Sequence, residues 1–389
     1  MKEAYKTYKL RNLVIFKNGK GHEKFVEGDG KYILLTSKAI STDFEEYRTI
    51  NIQLSPVFKN DVVLVMSDLP NGKALAKCFI IDENDKYTLN QRICSLTVKN
   101  DSIILPKYLY YILNRNTKLL SYDNGVDQTN LKKDDILDIE IDLPSIDKQI
   151  DIINKLDKFE ELLNTLKQEI NLTTEQFEYY IDKLIDNNSN FKKFSEIATI
   201  VRGGSPRPIN NYITNDDNGI NWIKIGDVKP NEKYITETKE KITIEGSKKS
   251  RFVKKGDFIL SNSMSYGRPY ILKIDGCIHD GWLAISDFEK YFTPDFLYYV
   301  LTSKFMQKQM DMKVSSGNIK NLNADIVKSL KLPIYSFEEQ NRIVSILDKF
   351  EELLNDKNFG LNYSLSLREQ QYEYYRDLLL GFKELRDNE

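Results

Sequence analysis

The sequence predicts an α+β protein in which two globular domains alternate with two long helices. The first observation is a repeat: the nonapeptide LDKFEELLN occupies residues 156–164 and recurs unchanged at residues 347–355. The second is that both copies lie in heptad-spaced segments that begin after a Leu-Pro pair. The third is that the segments before the helices share a loose framework of strand-like runs. An internal duplication therefore divides the chain into residues 1–143, 144–190, 191–332 and 333–389.

The first globular segment has the pattern of a mixed α and β domain. Its runs of β-branched residues are short and end at turn signals such as Pro70-Asn71-Gly72. A helix is predicted from Pro106 to Leu113, because proline is tolerated in the first turn of a helix. The second globular segment parallels the first, since Pro294 to Leu301 matches this helix and KGDFIL at residues 255–260 matches KNDVVL at residues 59–64. Strands are expected at residues 32–35, 62–66, 78–81 and 93–98.

The two helical segments predict a pair of long helices packed as an antiparallel coiled coil. Residues 145–190 contain neither proline nor glycine, and their apolar residues recur in steps of four and three over more than four heptads. One helix of about 40 residues is roughly 60 Å long, so its apolar seam needs a partner helix. Because domains and helices alternate, a pseudo-two-fold arrangement brings the second copy against the first. The predicted seam comprises Ile152, Leu156, Phe159, Leu163, Leu166, Ile343, Leu347, Phe350 and Leu354.

The second helical copy contains a discontinuity. The offset between the copies is 191 residues at LDKFEELLN and 195 residues at the later segments QFEYYID and QYEYYRD. Four residues have therefore been inserted near Asn358-Phe359-Gly360. An insertion of this length predicts either a stutter or a break of the helix at that point.

The composition excludes several classes of protein. The net charge of −2 is uneven, because the two helical segments each carry −5, residues 1–143 carry +1 and residues 191–332 carry +7. A local basic face of this kind is compatible with nucleic-acid binding. The three cysteines form no CxxC pair, and neither a signal peptide nor an apolar run of membrane length occurs. We therefore expect a cytoplasmic protein with no membrane contact, and the presence of only two histidines argues against a histidine-based metal centre.

Three motifs give nearly the whole chain a resemblance to a known family. They are SEIATIVRGGSPRP at residues 195–208, EEQNRIV at residues 338–344 and QYEYYRD at residues 371–377. With the alternation of globular and helical segments, they resemble the specificity (S) subunit of Type I restriction–modification enzymes. The resemblance implies a non-catalytic subunit whose two target-recognition domains each read one half of a bipartite site in double-stranded DNA. The first domain departs from the pattern, because FKNGKGH at residues 16–22 replaces RGGSPRP.

The resemblance also implies partners. The paired helices would set the distance between the two domains and dock two methyltransferase (M) subunits, and nuclease–translocase (R) subunits would then join. S-adenosylmethionine, ATP and Mg would belong to those partners, so neither a cofactor nor a metal is expected on this chain. Two identical partners need two identical docking surfaces, so we expect Asp157, Lys158, Glu160, Glu161 and their copies to face outward.

Candidate DNA contacts are side chains that carry positive charge or form hydrogen bonds with base edges, and glycines that allow close approach of backbone. In the first domain they are Lys17, Asn18, Lys20, Asp68, Asn71, Lys73, Asn90, Gln91, Arg92, Gln128 and Thr129. In the second domain they are Arg202, Gly203, Gly204, Arg207, Lys248, Lys249, Asn262, Ser263, Ser265, Tyr266, Arg268, Ser316 and Asn318. The alternative interpretation is structural: a tight turn at Gly203-Gly204, and hairpins or solvated loops elsewhere.

Two other functions remain open from the sequence. A coiled-coil adaptor without sequence-specific DNA binding would share the helices but would not need a second domain with a charge of +7. A nuclease is the other alternative, because Glu237-Thr238-Lys239 has the ExK spacing of some nucleases. That spacing also arises on the solvated surface of any chain rich in Glu and Lys. Neither the Pro-Pro-aromatic loop of amino-group methyltransferases nor a GxxxxGK(S/T) phosphate loop occurs in the sequence.

Overall fold

The computed structural model describes residues 5–22, 26–27, 29–70, 72–186, 190–228, 232–262, 266–315 and 321–381. The chain forms two compact units. The first unit comprises Met1–Thr165 and Ser366–Glu389, and the second comprises Leu166–Leu365. Each unit therefore combines one globular domain with segments from both helical regions, so that half of each helical region packs with each domain.

The first half of the chain contains short strands, short helices and one long helix. Its strands are Lys6–Lys9 (β1), Val14–Asn18 (β2), Val26–Glu27 (β3), Tyr32–Leu35 (β4), Arg48–Ile50 (β5), Val62–Val65 (β6), Ser67–Asp68 (β7), Cys78–Ile80 (β8), Tyr87–Leu89 (β9), Ile93–Val98 (β10), Thr129–Asn130 (β11) and Glu140–Leu143 (β12). Its helices are Leu10–Leu13 (α1), Ser37–Ser41 (α2), Pro106–Leu113 (α3), Thr117–Leu120 (α4), Lys133–Leu137 (α5) and Ile146–Asp186 (α6).

Two four-stranded sheets, ordered β2-β10-β6-β8 and β3-β5-β4-β9, form the first domain together with the pairs β1-β12 and β7-β11. All four residues of β6 are buried because its side chains supply two cores. Val62 and Leu64 join the core beneath α3 and α6, whereas Val63 and Val65 join the core shared with the second sheet. Of the predicted strands, 32–35 and 93–98 are correct, and those at 62–66 and 78–81 end one residue earlier.

The second half repeats this organisation, but each of its two main sheets has five strands. Its strands are Phe191–Lys193 (β13), Thr199–Arg202 (β14), Ile213–Thr214 (β15), Ile220–Ile223 (β16), Tyr234–Ile235 (β17), Glu240–Ile242 (β18), Arg251–Val253 (β19), Phe258–Ser261 (β20), Pro269–Leu272 (β21), Gly276–Ile278 (β22), Trp282–Ser286 (β23) and Lys331–Pro333 (β24). Its helices are Ile244–Ser247 (α7), Pro294–Thr302 (α8), Lys304–Ser315 (α9), Ala324–Lys328 (α10), Phe337–Asn355 (α11) and Leu361–Leu380 (α12), with 3-10 turns at Phe194–Glu196, Ile209–Asn211 and Ile225–Asp227.

The two domains share one sheet topology. The order β14-β23-β20-β21-β17 repeats β2-β10-β6-β8 with one added strand, and β13-β24 repeats β1-β12. The turn before the central strand is also the same, since Asn60 and Gly256 both have positive φ, at 73° and 100°. The following aspartates, Asp61 and Asp257, each accept a backbone amide hydrogen bond, at 2.9 and 2.8 Å. These shared contacts support the predicted internal repeat.

The helical regions differ in continuity. Helix α6 runs without interruption for 41 residues, close to the predicted length. The second region is not one long helix, because α11 ends at Asn355 and α12 begins at Leu361. The Asp356 carboxylate accepts the amides of Asn358 and Phe359, at 2.7 and 3.1 Å, and these bonds stabilise the turn that ends α11. The four-residue insertion therefore produces a break and not a stutter.

Antiparallel packing is visible within the second unit. Phe177 of α6 stacks on Phe350 of α11 with ring centroids 5.9 Å apart. Further along α6, the carbonyl of Leu184 accepts a hydrogen bond from the hydroxyl of Tyr335 at 2.9 Å, just before α11 begins. The first unit contains the equivalent aromatic contact, because the rings of Phe159 on α6 and Tyr372 on α12, the copies of Phe350 and Phe177, have centroids 6.5 Å apart. Phe159 also stacks on Tyr375 at 5.5 Å.

The predicted seam residues have two kinds of partner. Ile152 and Leu156 lie in the core of the first domain, and Ile343 and Leu347 lie in the core of the second. These four residues attach each helix to its own domain. Phe159 and Phe350 pack on aromatic rings of the opposing helical segment. Three further seam residues have different exposures: Leu163 and Leu354 are buried, and Leu166 is half-buried.

The prediction that the charged residues of the repeat all face outward is wrong at two positions of each copy. Asp157 and Glu160 accept hydrogen bonds from the hydroxyl of Tyr111, which belongs to the first domain. In the second copy, Asp348 and Glu351 lie 2.6 and 2.8 Å from the hydroxyl of Tyr299, which belongs to the second domain. Heptad spacing identifies the apolar face of a helix but not which neighbouring polar residues touch the attached domain. Lys158 and Glu161 are exposed, as expected.

The described residues include no helix that is long and apolar enough to cross a membrane. The three cysteines, Cys78, Cys94 and Cys277, are buried free thiols. Burial raises the pKa of the Cys94 thiol to about 12, so this side chain is an uncharged core residue.

Candidate nucleic-acid interface

A glycine follows the first sheet strand at the same place in both domains. Gly19 follows β2 and Gly203 follows β14, and each donates its amide to the first residue of the paired strand at 2.9 Å. A Cβ at Gly19 would lie 1.9 Å from the carbonyl oxygen of Asn90, and a Cβ at Gly203 would lie 2.2 Å from that of His279. Glycine is therefore needed because two backbones approach closely.

The carbonyls that face these glycines begin two equivalent turns, Asn90-Gln91-Arg92 and His279-Asp280-Gly281. Each turn is closed by an amide from the next strand, at 3.0 Å to Asn90 O and 3.1 Å to His279 O. Each glycine and the turn that faces it form a backbone arrangement that is here called the frame: Gly19 with Asn90-Gln91-Arg92 in the first domain, and Gly203 with His279-Asp280-Gly281 in the second. The segments FKNGKGH and RGGSPRP therefore start from the same frame, although their sequences differ. This frame presents different side chains in the two domains.

Asp280 is the centre of a polar cluster in the second domain. Its carboxylate accepts a hydrogen bond from Ser205 Oγ at 3.0 Å, lies 3.0 Å from His279 Nε2 and lies 3.5 Å from the Arg207 guanidinium. Burial alone would raise the pKa of Asp280, but the hydrogen bond from Ser205 and the neighbouring His279 and Arg202 side chains outweigh it and lower that pKa. Asp280 is therefore an anion that holds basic side chains around it.

The backbone of the same turn fixes two more candidates. The carbonyl of Asp280 accepts hydrogen bonds from Arg202 Nε at 3.1 Å and from Asn262 Nδ2 at 2.9 Å. The ring nitrogen Nδ1 of His279 accepts a hydrogen bond from the amide of Gly281 at 2.9 Å. In a neutral ring the proton therefore lies on Nε2, which points to Asp280. The turn and its surroundings are therefore held in one geometry.

Lys248 and Lys249 lie beside this cluster, because the hydroxyl of the next residue, Ser250, donates to Gly204 O at 2.6 Å. Lys248 is exposed. Lys249 hydrogen-bonds the hydroxyl of Tyr212, and this bond raises the pKa of the ammonium group. Arg251 follows Ser250 and pairs with Ile278, the residue before His279. The cations near the turn are here called the basic edge, which consists of Arg202, Arg207, Lys248, Lys249 and Arg251.

Three predicted contacts of the second domain have structural partners in the protein. The amides of Gly203 and Gly204 donate to Trp282 O and Ile278 O, at 2.9 and 3.1 Å. Asn262 is only 7% exposed, and its side-chain amide is bound to the turn. These three residues therefore hold the turn of Asp280, and their contact with DNA stays a prediction.

Tyr266 and Arg268 belong to the loop between β20 and β21. The hydroxyl of Tyr266 donates to Asp311 of α9 at 2.7 Å, and the guanidinium of Arg268 lies 5.8 Å from the ring centroid of Tyr270. Gly267 has a φ of 80°, as a tight hairpin requires. Five further candidates lie outside the described residues: Asn71, Ser263, Ser265, Ser316 and Asn318.

In the first domain, Asp68 organises its own loop. Its carboxylate accepts the amides of Leu69, Ala74 and Leu75, at 2.9, 2.7 and 3.2 Å. These three bonds leave about one acceptor site on the carboxylate, so a base contact by Asp68 stays a prediction. Lys73 of the same loop is exposed.

Gln128 and Thr129 support this loop from the neighbouring strand. Thr129 pairs with Asp68 across β11 and β7 and is 8% exposed. The side-chain amide of Gln128 donates to Ser67 Oγ at 2.7 Å. Thr129 is therefore buried in support of the loop, whereas Gln128 remains exposed beside it.

The remaining candidates of the first domain are brought together around Gly19. Lys17, Asn18 and Lys20 lie on one side of the frame, and the turn Asn90-Gln91-Arg92 lies on the other. Lys17 donates to the carbonyl of Pro56 at 2.6 Å, whereas Lys20, Gln91 and Arg92 are exposed. The frame thus unites candidates that are far apart in the sequence.

Comparisons with known proteins match this architecture. The model of the Type I restriction modification DNA specificity domain matches twice, at residues 2–175 and 187–363. The Type I restriction enzyme EcoR124I/EcoR124II specificity subunit of Escherichia coli is 30% identical over 303 residues, which are 74% of this chain and 73% of that protein. The chain belongs to the family of Type I restriction–modification specificity subunits. A putative specificity subunit of Haemophilus influenzae is also 30% identical over 287 residues, 71% of this chain and 72% of that one.

Solved structures of the same family share the fold. The S subunit of a Type I restriction–modification system from M. genitalium superposes with a TM-score of 0.50 at 16% identity, over 97% of this chain and 96% of that one. A chain from a structural study of assembly of the type I R-M system gives a TM-score of 0.65 at 13% identity, over 98% of both chains. Specificity subunits are non-catalytic, and the catalytic activities of these systems lie in other subunits.

The ExK segment of this specificity subunit forms ordinary loop contacts. The ammonium of Lys239 donates to Gly226 O at 3.1 Å, and the hydroxyl of Thr238 donates to Glu240 O at 3.0 Å. Among the described residues, no group of three or more His, Cys, Asp or Glu side chains is placed to hold a metal ion. These contacts give no support to the nuclease alternative.

The sequence interpretation missed several residues of this specificity subunit. Asp280 and His279 are central to the second domain but belong to no recognisable motif. Gln149 and Gln340 are both completely buried, and each forms three hydrogen bonds to backbone at the junction of domain and helix. A signal existed for these glutamines, because they are separated by the repeat offset of 191 residues.

Proposed function

We propose that this chain is the DNA-recognition subunit of a Type I restriction–modification complex, in which each globular domain reads one half of a bipartite site. The observation that carries this proposal is the shared frame around Gly19 and Gly203. The two domains keep this backbone geometry and change the side chains on it, whereas the helical regions keep the nonapeptide unchanged. A pair of readers for two different half-sites needs this combination of constant scaffold and variable surface.

In the second domain, the basic edge is suited to the phosphate backbone. Arg207 is 82% exposed in its side chain, and Lys248 and Arg251 are exposed as well. These cations surround the ordered turn at Asp280, so phosphate contacts would place that turn against the bases. Sequence-specific DNA binding has two components: cations that position the protein on the phosphates, and a fixed polar turn that discriminates between bases.

The helical regions would set the distance between half-sites and dock two methyltransferase subunits. The outward residues of the nonapeptide are the same in both copies, and Leu162 and Leu353 are exposed apolar side chains, at 45% and 48%. Two equal surfaces fit two equal partners. Nuclease–translocase subunits would join this assembly, and S-adenosylmethionine, ATP and Mg would be bound by the partner subunits.

The test is DNA binding by the full chain assembled with its methyltransferase partner, measured by fluorescence anisotropy over a range of salt concentrations. We expect steep salt dependence, because each phosphate contact changes the slope of log K against log salt by about 0.9. Lys248→Ala combined with Lys249→Ala should reduce that slope by about two. The matched control is Lys254→Ala with Lys255→Ala, two exposed lysines at the opposite end of β22. Salt-independent or absent binding would favour the coiled-coil adaptor.

A further inference from the structure

Each domain is joined to its helix by a tyrosine whose single hydroxyl proton is shared between two carboxylates. The hydroxyl of Tyr111 on α3 is hydrogen-bonded to Asp157 and lies 3.0 Å from Glu160, both on α6. In the second unit, the hydroxyl of Tyr299 on α8 lies 2.6 Å from Asp348 and 2.8 Å from Glu351, both on α11. All four carboxylates belong to the repeated nonapeptide.

A lysine completes the arrangement in the first domain. The ammonium of Lys107 lies 5.4 Å from the ring centroid of Tyr111 and 5.5 Å from that of Tyr110. It also lies 3.3 Å from Asp157 and 3.8 Å from Glu160. The cation therefore offsets the two negative charges that meet at the tyrosine hydroxyl.

The second domain has a lysine at the same place but takes it from a different part of the chain. Lys233, next to β17, lies 5.0 Å from the ring centroids of both Tyr298 and Tyr299. It forms an ion pair with Asp295 at 2.8 Å and lies 4.0 Å from Asp348, and its side chain is only 10% exposed.

The two lysines are not equivalent in sequence. Lys107 follows Pro106 at the start of α3, and the equivalent residue after Pro294 of α8 is Asp295, which has the opposite charge. The second domain therefore has an acidic residue at this position of its helix and takes its cation from Lys233, the residue before β17, which Asp295 holds. A cation that two diverged domains supply by different routes indicates a requirement for the cluster itself.

The spacing of the carboxylates makes the cluster sensitive to the position of the helix. Asp157 and Glu160 are three residues apart, so they lie on one face, and one hydroxyl reaches both. A slip of one residue would move the helix by about 1.5 Å along its axis and rotate the pair away from the tyrosine. In the first unit, Tyr372 of α12 also donates to Glu160 at 3.1 Å, so the second helical region is bound to the same cluster.

The hydroxyls remain donors over a wide pH range. Burial, and then the hydrogen bond to Asp157, raise the pKa of Tyr111 well above its usual value. Burial, and then the charge of Glu351, do the same for the pKa of Tyr299. Both hydroxyls therefore keep their protons and can donate under physiological conditions.

We propose that these two anchor clusters fix the pose of each recognition domain on its helix and thereby select the spacer length between the two half-sites. The first cluster is Lys107, Tyr111, Asp157 and Glu160, and the second is Lys233, Asp295, Tyr299, Asp348 and Glu351. This inference rests on the proposed function, because a spacer exists only if the domains read separate half-sites. Tyr111 and Tyr299 are positioning residues and do not themselves contact DNA.

The experiment measures spacer selectivity, defined as the methylation rate at the natural spacer divided by the rate at a spacer changed by one base pair. The full chain is used in complex with its methyltransferase partner. Sequencing of methylated DNA from cells that contain the wild-type complex first gives the bipartite site, and plasmids then carry that site with altered spacers. We expect Tyr111→Phe and Tyr299→Phe each to lower the selectivity by about tenfold, because each removes a hydrogen bond to charged groups.

The matched control is Tyr108→Phe, on the same helix α3. The Tyr108 hydroxyl is buried and has no hydrogen-bond partner within the described part of the chain, and the second domain has Phe296 at the equivalent position. The control should keep wild-type selectivity. If the wild type prefers one spacer and both Tyr111→Phe and Tyr299→Phe keep the same selectivity, the role of the anchor clusters is overturned and the proposed function still stands. A wild type that gives no bipartite site would overturn the proposed function as well. If one variant fails to fold, the other tests the same contact in the other unit.

Discussion

Replacing Gln340 by methionine, and comparing the loss of stability with that of the same change at its copy Gln149, tests the internal duplication. Gln340 of α11 is completely buried. Its side-chain oxygen accepts the amide of Thr293 at 2.8 Å, and its nitrogen donates to the carbonyls of Tyr291 and Tyr335, at 2.7 and 3.0 Å. Gln340→Met keeps the volume of the side chain and removes all three bonds. The amide of Thr293 and the carbonyls of Tyr291 and Tyr335 then lose these bonds.

The expected cost follows from these three bonds. A neutral intramolecular hydrogen bond contributes about 1 kcal/mol, and a buried group left without a partner costs about 1–3 kcal/mol. The free energy of unfolding of the second unit should therefore fall by at least about 3 kcal/mol. For a unit of this size, that corresponds to a decrease in Tm of roughly 6–12 °C.

The assay is differential scanning calorimetry of the full chain, which separates the transitions of units that unfold independently. Gln149→Met should lower the stability of the first unit by a similar amount, because Gln149 makes the equivalent bonds to Leu105, Ile103 and Pro144. The control is Gln176→Met on the exposed face of α6, where we expect a change within about 0.5 kcal/mol. A loss below about 1 kcal/mol for Gln340→Met, indistinguishable from the control, would refute this reasoning.

Three further predictions concern the frame, the anchor cluster and the helices. Gly203→Ala should destabilise the second unit by about 2 kcal/mol or more, because its Cβ would lie 2.2 Å from His279 O, whereas Gly204→Ala meets only Ser250 Cα at 4.0 Å and should unfold like wild type. Burial alone would raise the pKa of Asp295, but its contacts with Lys233 outweigh burial and lower that pKa in the folded protein. The ion pair therefore stabilises the fold fully above the unfolded-state pKa of about 3.9, and this stability is lost as the pH falls through the lower folded-state pKa. The stability difference between wild type and Asp295→Asn, from urea titrations, should shrink over that range, and a difference that grows would contradict the assignment. Inserting seven residues into each helical region adds about 10 Å and should lengthen the methylated spacer by about three base pairs, and an unaltered spacer would exclude a ruler role.

Local signals in the sequence were sufficient for much of the fold. The limits of α3 were predicted correctly because Pro106 marks the start of the helix. The change in repeat offset correctly located the discontinuity between α11 and α12, but it left a stutter and a break equally open. Such features depend on residues close together in the sequence or on an internal copy.

The candidate interface was predicted less completely because it depends on contacts between distant residues. Arg202 and Asp280 are 78 positions apart and meet only because β14 pairs with β23. The equivalence of Gly19 and Gly203 was hidden, since the distance from each glycine to its turn differs between the two halves. The three amides that Asp68 binds could not be predicted, because the sequence around a loop carboxylate does not indicate its hydrogen-bond partners. Tyr111 and Tyr299 did have a signal: they occupy the same position after a helix-starting proline.

The most direct test of the central claim is a domain exchange read by methylome sequencing. Residues 191–332 are replaced by the corresponding domain of another specificity subunit, and the full chain is expressed with its methyltransferase partner. The account predicts a new sequence in one half of the methylated site, with the other half unchanged. A change in both halves, or in neither, would contradict the claim that each domain reads its half-site independently.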